Sequence, residues 1–150
     1  MITILGFVSL CSGCKSDIPI FDETRAFAYL VRQCDFGPRN PGSDGYYACL
    51  EYIKTELDQS ADEIILQDFS YQEQRNNNKY ELQNVIARFN PNADFQTVIS
   101  AHWDTRPWAD QDKNQGNKKS PILGANDGAS GVAVLLELAK ILKENPPNIG

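Results

Sequence analysis

One histidine and two aspartates stand at positions where metal chemistry is plausible. His102 and Asp104 lie two residues apart in the run Val98–Asp110, VISAHWDTRPWAD. Asp127 lies in a second run, Pro121–Gly131, PILGANDGASG. An imidazole and carboxylates that converge from neighbouring turns are ligands of the kind a divalent cation takes. Asp104 falls on the same side of an extended chain as His102. It can orient the imidazole by accepting its ring N–H, a supporting role in catalysis for both residues. The competing reading is a strand-end His-Asp pair that only caps a loop. Asn126-Asp127-Gly128 alone would be ordinary turn chemistry. The surrounding glycines, Gly124, Gly128 and Gly131, make room for unusual torsions and for close approach. A catalytic zinc site takes three protein ligands and an open position. His102 is the only histidine, so at least one ligand is expected from outside these residues. Trp103 and Trp108 flank the same loop and are candidates for an apolar substrate wall, Trp108 the better of the two, though each fits ordinary packing as well. Arg106 can bind a carboxylate or pin the loop. Arg39, in a Gly-Pro-Arg turn, is expected to tie the N-terminal helices to the sheet.

These residues need elements to hold them. Thr97–Ala101 is β-branched and apolar and predicts a buried central strand ending at His102, where sites in α/β proteins cluster. From about Ser130 to Lys143 the pattern is helical. Val132, Leu135, Leu136, Ala139 and Leu142 share an inner face, with Glu137, Lys140 and Lys143 outside. Asn145-Pro-Pro-Asn148 ends that helix. Upstream, Asp22 caps a first helix with Phe27, Leu30 and Val31 inward. It stops near Cys34, before the turn-rich Gly37–Ser43. Ser43 caps a second helix to about Leu57, whose apolar stripe is Tyr46, Cys49, Leu50, Ile53 and Leu57. Residues 64–71 and 80–89 read as two strands joined by the polar loop 74–79. This order indicates an α/β layered domain. After the last helix the next element should be a strand beside 97–101. The chain is therefore expected to be the front part of a larger domain.

The bulk properties narrow the partners. The chain has 150 residues, 41% hydrophobic and 23% charged, which suits one globular domain. Its net charge of −6 comes with no clustered Lys and Arg, which argues against nucleic acid. No apolar run is long enough to span a bilayer. The first fourteen residues form a separate segment. A short apolar run, Met1–Leu10, precedes Cys11-Ser-Gly-Cys14, as at the end of a bacterial lipoprotein signal. Cys14 is the expected lipidated residue, with residues 15–150 as the domain. That implies an extracytoplasmic location, in the periplasm or cell envelope, with membrane contact only through the lipid. A Cys-x-x-Cys redox or metal pair is the alternative for Cys11 and Cys14. Cys34 and Cys49 could be joined in an exported protein, but Cys49 lies on the apolar stripe and reads as a buried free thiol.

The paired motifs around His102 and Asp127, together with Phe36–Ser43 (FGPRNPGS), resemble the bacterial glutaminyl-peptide cyclotransferases, or glutaminyl cyclases. Those share the zinc aminopeptidase fold of the M28 peptidase family. The resemblance covers most of residues 22–150. It implies a three-layer α/β/α domain with a mixed central sheet, truncated after the helix that follows Asp127. It implies zinc, with Asp127 as a metal ligand and the remaining ligands and a proton-shuttling glutamate further along. His102 matches a position that ligates the second metal in two-zinc aminopeptidases, whereas cyclases of this kind hold one zinc. The implied substrates are peptides with N-terminal glutamine, converted to pyroglutamyl peptides with release of ammonia. A cis peptide bond after Asp127 is implied as well. Two alternatives stay open: a two-zinc M28 aminopeptidase, and a non-catalytic relative that uses the fold for binding.

Overall fold

The structure, a computed structural model, describes residues 18–75 and 77–150. Cys11 and Cys14 lie outside the described residues.

Helix α1 spans Glu23–Asp35 and starts where Asp22 accepts the Arg25 N–H at 2.9 Å. Its inner face is not the expected one. Ala26, Tyr29 and Gln33 are buried, while Phe27 is 64% exposed and Val31 40% exposed. Polar anchoring rotates the helix: the Gln33 amide donates to Tyr29 O and Ala129 O, both at 3.1 Å, so a polar side chain takes an inward position. Helix α2 spans Asp44–Asp58, capped by Ser43, whose hydroxyl accepts the Tyr46 N–H at 3.1 Å. Its buried stripe is the expected one, Tyr46, Cys49, Leu50, Ile53 and Leu57.

Strands β1, Glu63–Gln72, and β2, Lys79–Arg88, pair antiparallel from Glu63↔Arg88 to Gln72↔Lys79. Ile64, Val85 and Ala87 pack against the core from one face of this hairpin. Helix α3, Ser130–Glu144, supplies Val132, Ala133, Leu136 and Ala139 to the same core, where they meet Tyr29, Cys49, Ile53 and Leu57. Glu137 departs from expectation. It is fully buried and receives the Arg25 Nε and Nη2 protons at 2.7 Å each and the Asp22 N–H at 3.1 Å. Leu135 and Leu142 are only half-buried.

Residues 97–101 form no regular strand among the described residues, contrary to the sequence expectation. Val98 is 90% exposed and Ile99 61%. Burying such a strand requires neighbours on its edges and layers on both faces, and the two described strands pair only with each other. One contact does point to the expected neighbour. Gly150 N–H donates to Phe95 O at 2.9 Å and Thr97 N–H donates to Gly150 O at 2.6 Å. Two slanted bonds to one residue are the pattern of a parallel pair, with Gly150 opposite Gln96. This is where a strand after α3 was expected. Cys34 and Cys49 are free thiols, and burial raises the Cys49 pKa to about 11. Among the described residues no helix is long and apolar enough to cross a membrane.

Candidate functional site

Asp127 is presented by a distorted turn. Gly124 has φ +62°, a left-handed conformation that suits glycine. Residues 125–129 then make a wide helical turn interrupted at Asp127 itself, with φ −115° and ψ 86°. The Asp127–Gly128 bond is cis, as the resemblance implies. Ser130 Oγ donates to Asn126 O at 2.8 Å and leads the chain into α3.

His102 meets that turn directly. Its Nε2 lies 3.0 Å from Asp127 Oδ1. On the other side of the ring, Nδ1 lies 3.1 Å from the Asp104 carbonyl oxygen and 3.3 Å from its Oδ1. The imidazole packs over Gly128, where a Cβ would come within 2.7 Å of Nε2. The three side chains are roughly half exposed, at 55% for His102, 48% for Asp104 and 58% for Asp127. Both ring nitrogens therefore face oxygen, yet a neutral imidazole carries a single N–H. Which nitrogen carries it depends on the tautomer. Nitrogen and carboxylate oxygen are also the donor types zinc takes. The residues present thus fit part of a zinc site. Among the described residues no three His, Cys, Asp or Glu side chains form a group able to hold a metal.

Trp103 stacks at 4.2 Å between ring centroids on Tyr46 and belongs to the rim of the core. With His102, Asp104 and Pro41 it also lines a cavity of about 210 Å³. The opposite wall is β2 at Leu82–Asn84, so the cavity is as much a gap between sheet segments as a ligand pocket. Trp108 is not among its lining residues. Its ring sits 5.3 Å from the Arg75 guanidinium, and Arg75 in turn lies 3.4 Å from Asp110. Arg106 pins the same loop by donating to Asp110 Oδ1 at 2.9 Å. The structure thus brings His102, Asp104, Asp127 and Trp103 together and sets Trp108 apart from them.

Sequence reasoning did not single out Thr105. It is 2% exposed, and its Oγ1 accepts the Arg39 N–H at 2.8 Å. A single threonine in a loop gives no signal of that kind. Arg39 was expected to tie helices to sheet, and it is fully buried at the centre of the site's supports.

The chain is similar to known proteins. Residues 84–149 match the model of Peptidase family M28. The chain is 30% identical over 104 residues to the glutaminyl-peptide cyclotransferase of Gloydius blomhoffii, which covers 69% of this chain and 27% of that protein. It is similar to the crystal structure of Bacteroides thetaiotaomicron glutaminyl cyclase bound to N-acetylhistamine. There the identity is 37% and the TM-score 0.85, over 89% of this chain and 45% of that one. It is also similar to a Zn-dependent exopeptidase from Parabacteroides distasonis, at 34% identity and TM-score 0.84, over 87% of this chain and 45% of that one. The chain spans about a quarter of its curated relative and somewhat under half of these solved chains. Its helices and hairpin are the front part of their α/β fold. Over residues 84–149 the chain is similar to the M28 peptidase family.

Proposed function

We propose that residues 15–150 are the N-terminal part of a zinc-dependent glutaminyl-peptide cyclotransferase. It converts the N-terminal glutamine of a peptide to pyroglutamate and releases ammonia. The observation that carries this reading is the 3.0 Å contact between His102 Nε2 and Asp127 Oδ1. It puts the imidazole on one carboxylate oxygen, so that the other could take a metal. The similarity to solved glutaminyl cyclases supports it.

In this reading Asp127 holds the zinc, with further ligands from outside this chain, and His102 holds Asp127. Bound zinc would polarise the γ-amide carbonyl of the substrate glutamine. Asp104 lies against Nδ1 and would orient the ring. The peptide's α-amine attacks the carbonyl carbon of the γ-carboxamide, the bond from that carbon to the amide nitrogen breaks, and the amine's proton leaves with ammonia. Holding both groups on one substrate makes the step intramolecular, a large saving in entropy. Trp103 would wall the glutamine side chain from water, with Trp108 further out on the loop.

One observation favours a second reading. The similarity to the Zn-dependent exopeptidase is nearly as high. In a two-zinc aminopeptidase His102 would ligate the second metal directly. Incubating the intact protein with a Gln-initiated peptide separates the two. One zinc per chain with pyroglutamyl peptide and ammonia is the expected result. Two zinc ions with free glutamine would overturn the cyclase reading. We also propose that Cys14 carries a lipid and that the protein works outside the cytoplasm.

A further inference from the structure

We propose that Arg39 is the positioning residue that fixes the His102 loop against the Asp127 turn. The proposal rests on the reading of these residues as the metal site. Arg39 is fully buried, and its bonded partners are backbone carbonyls rather than a carboxylate. Its Nε donates to Trp103 O at 3.0 Å, one residue past His102. Nη1 donates to Leu123 O at 3.0 Å and Nη2 to Gly124 O at 3.0 Å, at the entry to the Asp127 turn. Nη1 also reaches Gln33 O at 3.2 Å, near the end of α1. Its backbone is fixed as well: Arg39 N–H donates to Thr105 Oγ1 at 2.8 Å, and Thr105 N–H donates to Arg39 O at 3.2 Å.

One planar cation therefore bonds both halves of the site at once. The halves are joined in sequence by the long loop from Thr105 to Leu123, which holds a single short helical turn, Gln115–Asn117. That loop is closed at its base by Ile122 N–H donating to Arg106 O at 3.2 Å. The guanidinium adds the bonds nearest the two site residues, and its donors point in fixed directions in one plane. Lysine would keep the charge but not the fork. Burying a cation among carbonyls without a counter-ion is costly, so a role in geometry accounts for its retention better than stability alone.

The test uses the intact protein with Arg39→Lys, and Arg25→Met as a control that breaks a different buried link. Chelator competition reads zinc affinity, thermal unfolding of the metal-free protein reads stability, and crystal structures read the His102–Asp127 spacing. Arg39→Lys should weaken zinc by about 10–100-fold, the usual range when a group supporting a ligand is changed. It should also lengthen the His102–Asp127 spacing. Arg25→Met should lower the melting temperature while zinc affinity stays native. Native zinc affinity and native spacing in Arg39→Lys would overturn the proposal. If Arg39→Lys does not fold, Thr105→Val removes only the hydroxyl that Arg39 N–H meets. It should weaken zinc several-fold, and an unchanged affinity would count against the linkage. The spacing is read without zinc or turnover, so it tests Arg39 even if the intact protein proves not to be a cyclase.

Discussion

At the scale of single residues, Asp127 and His102 carry different predictions. In the intact protein Asp127→Ala should abolish both metal binding and turnover if Asp127 is the ligand we propose. His102→Ala should keep about one zinc per chain with affinity down by about 10–100-fold, as for a group that orients a ligand. In a two-zinc enzyme the same change would remove one metal outright. Metal analysis of both variants decides. Gly128 adds a steric test. A Cβ there would meet both the carbonyl oxygen and the ring of His102. Gly128→Ala should therefore push the imidazole off Asp127 and cut activity, with the displacement visible by crystallography. Cys49 gives a pH prediction. Burial raises its pKa from 9.0 to about 11, so the folded state favours the neutral thiol. Its stabilising effect is complete below pH 9 and is lost as pH climbs from 9 towards 11, because the unfolded chain ionises first. With Cys11→Ser and Cys14→Ser in place, a thiol reagent at pH 8 should label half-buried Cys34 in the folded protein and leave Cys49 unmodified. Rapid labelling of Cys49 would contradict its burial.

At the scale of elements, α1 is held to α3 by polar contacts as much as by apolar ones. Glu137 takes three hydrogen bonds from the start of α1 and its own side chain is fully buried. Glu137→Ala leaves the Asp22 N–H without its acceptor and should destabilise the fold by about 2 kcal/mol, read by denaturant unfolding. An effect below a few tenths would mean that water replaces the carboxylate freely. This clasp also shows where the sequence stops being legible. Asp22 and Ser43 were readable as caps because capping joins residues three apart. The stripe of α2 was readable because it is apolar throughout. Glu137 was not, since its partner Arg25 lies 112 residues away and a glutamate on one face with Lys140 and Lys143 looks solvated. For the same reason Phe27 and Val31 looked buried. The His102–Asp127 pairing was legible as two motifs but not as a contact, because the two lie 25 positions apart.

At the scale of the molecule, its two ends pose different questions. Cys14→Ala should release the protein from the membrane fraction if the N-terminal segment is a lipoprotein signal, and unchanged fractionation would sink that proposal. Stable anchoring needs more than one acyl chain, so the variant should shift fully rather than partly. At the other end, large apolar side chains face solvent along one side. Val98 and Ile99 are joined by Ile65, Phe69 and Ile86 of the hairpin's outer face, all more than a third exposed. Apolar surface of that kind ordinarily lies against more protein. At the proposed metal site His102 and Asp127 are in contact, and no group of three potential ligands forms among the described residues. A site with only part of its ligands loses much of the affinity that a complete donor set supplies. The 150-residue chain alone is therefore expected to give up zinc to a mild chelator and to release no ammonia from a Gln-initiated peptide. Equilibrium dialysis with metal analysis reads the first, and an ammonia assay with and without added zinc reads the second. Tight zinc binding or metal-dependent ammonia release by this chain would show that its described residues, with the N-terminal segment, already make a working centre.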